Sequence, residues 1–383
     1  MSARNACSKI RSTEICSYSG PIAKEVFILG RPDPAEKSFI SQAASVYRSL
    51  CAALQQEGAS AEHVMQEMVF FRNVQRDLDP FHKIRTQVFP LYAPAATFIQ
   101  QAPINEQYLI EILAYAFIPC TDATPVSPGF RFLPQPARRS FFTGGCKHVF
   151  AANICGMHGK PEEETYSMFQ SAERLLQEEG MTFQNVVRTW IHLRHINRDY
   201  SGFNRGRAKF FRERELLFPP ASTGIGGAPP SDAQNMCLGL CAIQAPMPIE
   251  VQPMSSPTLN EAWTYGADFS RGLKVVGTNA ITLFISGTAS VDEKGRTVHA
   301  DDFEAQVERM ILNISALLAQ QNASFEDVVS AITYLKHPAN ASLLAKVFTK
   351  RKIQNFPNAL VHARVCRPEL LCEMEAIAVL PLC

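Results

Sequence analysis

The sequence predicts an α+β protein built from three tandem modules, each a mixed sheet with two helices packed on one face. Three observations predict this fold: a gapless internal repeat, the same order of helical and strand-like patterns around each copy, and Pro- and Gly-rich stretches between the copies. A chain of 383 residues with 46% hydrophobic content is long enough for several cores of this kind.

The internal repeat lies at a helix end. Gly58, Gly180 and Asn322 occupy the same place in it, where a helix C-cap in left-handed conformation is expected. The three aligned segments are 53–60, 175–182 and 317–324. A repeated helix end of this length indicates repeated supersecondary units.

The same elements are predicted around each copy. An amphipathic helix precedes the cap, as the apolar spacing over 303–318 shows in the third copy. Apolar strands follow at 68–71, 190–193 and 332–335, and second helices at 79–88, 200–211 and 341–350. Pro94, Pro220 and Pro357 then open the closing strand pairs. Each module is ββαβαββ, with predicted boundaries of 20–120, 138–248 and 262–383.

Composition gives no reason to expect nucleic acid or a membrane as a partner, because 37 basic and 36 acidic residues leave a formal charge of +1. No apolar leader precedes the first module, so a cytoplasmic location is expected. Eleven cysteines without a CxxC pair predict reduced core thiols. His192 and His195 would face opposite sides of a strand, so neither a metal nor a cofactor is predicted.

A carboxylate in the last strand is the strongest chemical signal. Glu373 and Glu375 share one face of a segment that otherwise alternates like a half-buried strand, and Leu371 precedes them on that face. One interpretation is an edge strand with a wetted face. The other is a carboxyl held in a cleft.

Five stretches carry a resemblance to a known family. They are Phe-Asn-Arg-Gly-Arg at 203–207, Pro-Pro-Ala-Ser-Thr-Gly-Ile-Gly at 219–226, Tyr-Gly-Ala-Asp-Phe-Ser-Arg at 265–271, Ile-Ser-Gly-Thr-Ala-Ser at 285–290, and 365–375. In this order the chain resembles the YjgF/RidA superfamily, with its chorismate-mutase-like fold, and within it the chorismatases. Single-module relatives form trimers with clefts between subunits, so three modules in one chain imply an intramolecular pseudo-trimer that is monomeric.

The resemblance implies that the substrate is chorismate and that pyruvate is released. Glu373 matches the acid that protonates the enolpyruvyl methylene, and Leu371 and Glu375 would raise its pKa by desolvation and like charge. Cys366 matches the cysteine of members that yield 3-hydroxybenzoate. A buried structural thiol is the alternative for Cys366.

Binding residues follow from the same motifs. Arg271, Arg207 and Arg367 are candidates for the two substrate carboxylates, and the alternative for an Arg on a helix is a solvated side chain. Two aromatic residues, Tyr265 and Phe269, would wall the ring or belong to the core. The turn containing Thr223 and Gly224 would bind an anion or simply open a strand.

Two rival functions stay open. RidA-type imine deaminases carry an Arg two residues after the proline that opens the last strand pair, and this chain has Ala96, Ser222 and Ala359 there. A non-catalytic ligand-binding protein is the second rival. The first module keeps Glu111 without a cleft motif, so it is predicted to be structural, and the cleft is predicted between the second and third modules.

Overall fold

Three mixed sheets and six α-helices make up the described part of the chain in a computed structural model, which describes residues 5–10, 12–120, 137–143, 145–245, 249–261, 268–353 and 356–382. The first sheet contains β1 (Ala6–Ile10), β2 (Thr13–Ser19), β3 (Ala23–Gly30), β4 (Val64–Phe71), β5 (Ala95–Gln100) and β6 (Ile110–Pro119), in the order β1-β2-β3-β6-β4-β5. Its helices are α1 (Phe39–Gln56) and α2 (Val74–Val88).

The second and third sheets repeat this arrangement. The second contains β7 (Ala137–Thr143), β8 (Cys146–Ile154), β9 (Val186–Leu193), β10 (Ala221–Gly226) and β11 (Met236–Gln244), in the order β10-β9-β11-β8-β7, with α3 (Pro161–Glu178) and α4 (Ile196–Glu213). The third contains β12 (Glu250–Pro253), β13 (Gly272–Val276), β14 (Ile281–Ala289), β15 (Val328–Leu335), β16 (Asn358–His362) and β17 (Cys372–Leu380), in the order β12-β13-β14-β17-β15-β16, with α5 (Phe303–Ala319) and α6 (Ala341–Lys350).

The predicted ββαβαββ order is confirmed in all three modules. Each second helix is a crossover between parallel strands, which are β4 and β5, β9 and β10, and β15 and β16. Strands β1 and β12 are additions that lie before residues 20 and 262, where the first and third modules were predicted to start. The exact boundaries stay a prediction.

The repeated helix end forms the expected cap. Gly58, Gly180 and Asn322 have φ angles of 79°, 73° and 55°, in the left-handed region. In each copy the amide that follows the cap residue donates to a carbonyl five residues earlier, at 2.7, 2.8 and 3.0 Å. This bond closes a Schellman motif, which turns the chain from the helix into the next strand.

Each module has its own core between helices and sheet, and the opposite sheet faces meet in one central core. Phe70, Trp190 and Tyr334, one from each module, are all 4% exposed or less and belong to this central cluster. The sheets therefore pack around a shared centre, as the pseudo-trimer requires.

One expectation about cysteine was wrong. Cys7 and Cys16 lie opposite each other in the β1–β2 ladder and form a disulfide, whereas eight other cysteines in the described residues are free. Strand β1 is exposed and has no apolar alternation, so the sequence did not predict it. The disulfide was therefore missed, because it needs β1 to pair with β2. None of the described helices is both long and apolar enough to cross a membrane.

Candidate active site

A cavity of about 320 Å³ lies between the second and third modules. Its volume falls in the usual range for small-molecule sites. The second module lines it with Tyr200, Asn204, Arg207, Ser222 and Gly224, and the third with Phe269, Arg271, Gly287, Ala289, Val291, Cys366, Arg367, Leu370 and Glu373. The structure thus brings together most of the predicted site residues.

Glu373 is the only acidic residue in that wall of described residues. It lies on β17, between β14 and β15, with Ala289 and Tyr334 as its ladder neighbours. The side chain is 5% exposed, so the interpretation as a wetted edge strand was wrong. Gly287 makes room for it, because a Cβ at that position would overlap Glu373 Oε1.

Glu375 points to the same side and is held by three donors. Trp190 Nε1 donates to Oε1 at 2.7 Å, Tyr334 donates its hydroxyl to Oε2 at 3.2 Å, and Arg188 Nη2 lies 3.0 Å from Oε2. Arg188 is 2% exposed and comes from the second module, so this ion pair crosses the module boundary in the protein interior. These three contacts fix the Glu375 carboxylate in place.

The two carboxyl groups therefore differ in their surroundings. Burial raises the pKa of Glu373 to about 8, and the charge of Glu375 adds to this, while Arg271, Arg188 and Arg367 pull in the opposite direction. Glu373 makes no ion pair within 4.0 Å among the described residues. It is consequently a protonated carboxylic acid at neutral pH.

The leucine that lines the cavity is not the one that was predicted to desolvate Glu373. Leu371 precedes β17 and packs into the core of the third module, whereas Leu370 lines the cavity and is 1% exposed. The strand alternation does not extend back to these residues, because β17 begins only at Cys372.

Two arginines flank one aromatic ring in the cavity. The guanidinium carbons of Arg271 and Arg207 lie 5.3 and 5.7 Å from the centre of the Phe269 ring. Both side chains are nearly buried, at 4% and 2% exposed, so the solvated alternative for Arg207 was wrong. Asn260 accepts from Arg271 through its carbonyl and its side-chain oxygen, and Asn204 accepts from Arg207, which fixes both cations in place.

The other predicted binding residues divide into three groups. Arg367 lines the cavity and donates to the carbonyl of Gly295 at 2.8 Å, and Gly224 lines it from β10. Thr223 lies behind the wall, where its hydroxyl oxygen accepts from Arg188 at 2.6 Å and from the amide of Gly287 at 3.0 Å. Tyr265 lies outside the described residues.

Cys366 lines the cavity next to Tyr200 of α4, whose hydroxyl hydrogen-bonds its side chain. Burial, with a smaller contribution from Glu373, raises the pKa of Cys366 to about 12. The group is therefore a neutral thiol at physiological pH, and it is not a thiolate nucleophile.

The other modules lack an equivalent acid in an open cleft. In the ladder of the first module Glu111 lies opposite Phe70, as Glu373 lies opposite Tyr334, but Arg31 Nε stands 3.5 Å from its carboxylate. In the second module the equivalent residue is Cys237. These differences between the modules agree with a single site between the second and third modules.

Sequence reasoning missed Tyr200, Asn204, Arg188 and Trp190. The first two precede Arg207 by seven and three residues on α4, a spacing that places all three on one helix face. Arg188 and Trp190 alternate within β9. An arginine in a strand that is otherwise apolar was the available signal, because a buried Arg needs a partner.

Comparisons with known proteins agree with this geometry. A family model described as Endoribonuclease L-PSP matches residues 266–380. RutC family proteins of Pyrococcus abyssi and Saccharolobus solfataricus are each 33% identical to this chain, over 25% and 29% of it and 76% and 85% of their own lengths.

Longer matches are to chorismatases. A chorismatase of Streptomyces rapamycinicus is 25% identical over 51% of this chain and 64% of its own length, so slightly under two thirds of that protein is matched. The crystal structure of a chorismatase, at 18% identity, covers 83% of this chain and 93% of the solved one with a TM-score of 0.58, which supports the shared fold.

Fold and site together define a three-module YjgF-like protein with a carboxylic acid in a cleft between modules. The chain belongs to the RutC family, and its longer matches are to chorismatases.

Proposed function

We propose that this protein cleaves chorismate, releases pyruvate and forms 3-hydroxybenzoate as a main product. The observation that carries the proposal is a buried carboxylic acid, Glu373, in a cavity that also holds the fixed cations Arg271 and Arg207. Similarity to chorismatases supports chorismate cleavage at the level of the family.

Glu373 acts as the general acid. Cleavage of the enolpyruvyl ether begins with a proton on its terminal methylene carbon, which converts that group to an oxocarbenium ion and a methyl group. A carboxyl with a pKa of about 8 is protonated at neutral pH and still acidic enough to donate. The conjugate carboxylate then lies beside the cation it has formed and stabilises it.

The arginines suit the two carboxylates of the substrate. The guanidinium carbons of Arg271 and Arg207 lie 5.3 and 5.7 Å from the centre of the Phe269 ring, so the cavity offers two positive groups close to one apolar surface. Arg367, on the far side of the turn before β17, is the third candidate cation. Bidentate guanidinium contacts to the substrate carboxylates would orient the substrate ring so that its ether faces Glu373.

The fate of the cation decides the product. If water adds to the oxocarbenium carbon, the hemiketal collapses to pyruvate and a dihydroxycyclohexadiene carboxylate. If the neighbouring ring hydroxyl instead attacks the ether-bearing ring carbon and displaces pyruvate, its oxygen bridges the two ring carbons. Opening of the original carbon–oxygen bond and loss of the proton on the attacked carbon then give 3-hydroxybenzoate without added water. A neutral thiol at Cys366, held by Tyr200 against the pocket, favours the second route because it hydrates weakly.

The test is to incubate purified protein with chorismate and to follow pyruvate and the ring products. Glu373→Gln keeps the shape and loses the donated proton, so we expect pyruvate release to fall by about 10²–10⁴-fold. Its matched control is Glu369→Gln, an exposed carboxyl in the same turn region, which should retain activity. Pyruvate release by Glu373→Gln within a few-fold of wild type would remove Glu373 from the acid role.

The rival functions predict different results in the same experiment. An imine deaminase would release ammonia from an imine substrate and leave chorismate intact, and a binding protein would turn over neither. The alanines at positions 96 and 359 and Ser222 lack the cation that the deaminase needs. We therefore place chorismate cleavage first.

A further inference from the structure

A second chamber lies at the centre of the molecule, apart from the cavity of the candidate active site. Its volume is about 100 Å³, and strands of all three sheets line it. Six aromatic rings contribute to its wall: Phe27, Tyr115, Phe117, Phe150, Trp190 and Phe284. By volume it holds about three water molecules, or an organic molecule of about three to five heavy atoms.

The wall also contains a buried carboxyl group, Glu25, which is 7% exposed. Its two hydrogen-bond partners are neutral: Asn279 Nδ2 donates to Oε1 at 2.9 Å, and the hydroxyl of Tyr115 donates to Oε2 at 3.1 Å. Within the described ranges no Lys, Arg or His forms an ion pair with Glu25. Burial raises the pKa of Glu25, and the hydrogen bonds from Asn279 and Tyr115 act in the opposite direction.

None of the other described residues in the wall supplies the positive charge. Glu375 reaches the chamber, but its charge is already matched by Arg188. Burial lowers the pKa of His148 to about 4, so that ring is neutral at physiological pH. The chamber thus combines aromatic faces, which attract cations, with one carboxyl that has no cationic partner.

We propose that this central chamber binds a small organic ammonium ion, with its charge on Glu25 and its alkyl groups against the aromatic rings. An anion would be repelled by Glu25. A neutral molecule of the same shape would gain the apolar contacts but not the ion pair and the cation–π contacts. The proposal is independent of the reaction assigned to the other cavity.

Isopropylammonium and 2-propanol provide a matched pair of probes, because they have the same shape and four heavy atoms each but differ in charge. Trp190 lines the chamber, and the protein has only one other tryptophan, Trp263, so intrinsic fluorescence in a Trp263→Phe background reports on binding. Titration calorimetry of the unmodified full chain gives the affinity without the substitution, with sodium chloride balancing the ionic strength.

We expect isopropylammonium to bind at least about tenfold more tightly than 2-propanol. Glu25→Gln should remove that preference and leave binding of 2-propanol unchanged, whereas Glu250→Gln, at an exposed carboxyl on β12, should behave as wild type. Cys241→Met, which narrows the chamber, serves as a second variant if Glu25→Gln does not fold, and it should weaken binding of the ammonium ion.

Three outcomes would overturn the proposal. They are equal affinity for the two probes, no measurable binding of isopropylammonium to the wild-type protein, and unchanged ammonium binding in both the Glu25→Gln and Cys241→Met variants.

Discussion

Glu373 and Glu375 are two residues apart on one strand face, but their side chains have different surroundings. Glu375 has a guanidinium, an indole N–H and a phenol as donors. Glu373 is buried in the cavity wall, forms no ion pair with the described residues, and lies close to the charge of Glu375. A carboxyl group whose pKa is raised towards neutrality by burial is a recurring arrangement for acid catalysis.

This arrangement predicts a pH dependence. Only protonated Glu373 can donate, so kcat/KM for pyruvate release should be full below its pKa and fall as pH rises through about 8. Glu375→Gln removes the like charge and leaves Arg188 uncompensated, and both changes lower the pKa of Glu373. The falling limb should therefore move to lower pH in this variant.

The measurement is the pH profile of initial rates for wild type, Glu375→Gln and the exposed-site control Glu369→Gln. In the control, kcat/KM should fall at the same pH as in wild type. If kcat/KM of the Glu375→Gln variant falls at the same pH as in wild type, Glu375 does not influence the pKa of Glu373.

We predict that the side chain at position 366 determines the ratio of the two ring products. Cys366→Ala opens space beside the ether carbon, so water should compete better, and the product should shift from 3-hydroxybenzoate towards the dihydroxy acid with pyruvate still released. Chromatography of both product mixtures measures the shift, with Cys155→Ala as the control because that thiol lies outside the cavity. An unchanged product ratio would assign Cys366 to packing alone.

The sequence pointed to Glu373 because a carboxylate breaks the pattern of an apolar strand. It did not indicate the residues that determine its charge state. Arg188 and Trp190 are 185 or more residues away from Glu375 along the chain, and only the packing of the second module against the third brings them together. Contacts of this kind depend on tertiary arrangement, which a periodic pattern does not encode.

Strands β9 and β17 are joined by the buried pair of Arg188 and Glu375, and the pair links two modules. Removing one partner leaves the other charge buried, so Arg188→Met should lower the free energy of unfolding by about 3–5 kcal/mol. The exposed pair of Arg205 and Glu162 is a matched control, and Arg205→Met should cost about 0–1 kcal/mol.

Denaturant unfolding of the single variants and of the double variant Arg188→Met with Glu375→Leu measures this coupling. The double variant should be more stable than the sum of the single losses predicts. Additive losses would mean that the two residues stabilise the protein separately.

Elements with strong periodicity were predictable, and the short added strands were not. Helix α6 spans 341–350 as expected, because its apolar spacing is marked locally. Strands β1 and β12 have exposed or half-exposed residues throughout and exist through pairing with β2 and β13. Their sequences carry little hydrophobic signal of their own.

The whole molecule joins three modules in one chain around a common core. Internal repetition supplies three sheets within one chain, so we expect a monomer. Light scattering after size-exclusion chromatography should give a mass near 42.5 kDa that does not change on dilution. A mass three times larger at all concentrations would contradict this expectation.

The central claim is that Glu373 delivers the proton that begins cleavage of the ether, and its most direct test is turnover of chorismate in deuterium oxide. Glu373 exchanges its proton with solvent between turnovers, so rapidly quenched pyruvate should carry one deuterium in its methyl group, as mass spectrometry or NMR can detect. Unlabelled pyruvate added to the same solution corrects for spontaneous exchange. Pyruvate formed by the enzyme without deuterium would show that the proton comes from the substrate itself, and the acid role of Glu373 would be contradicted.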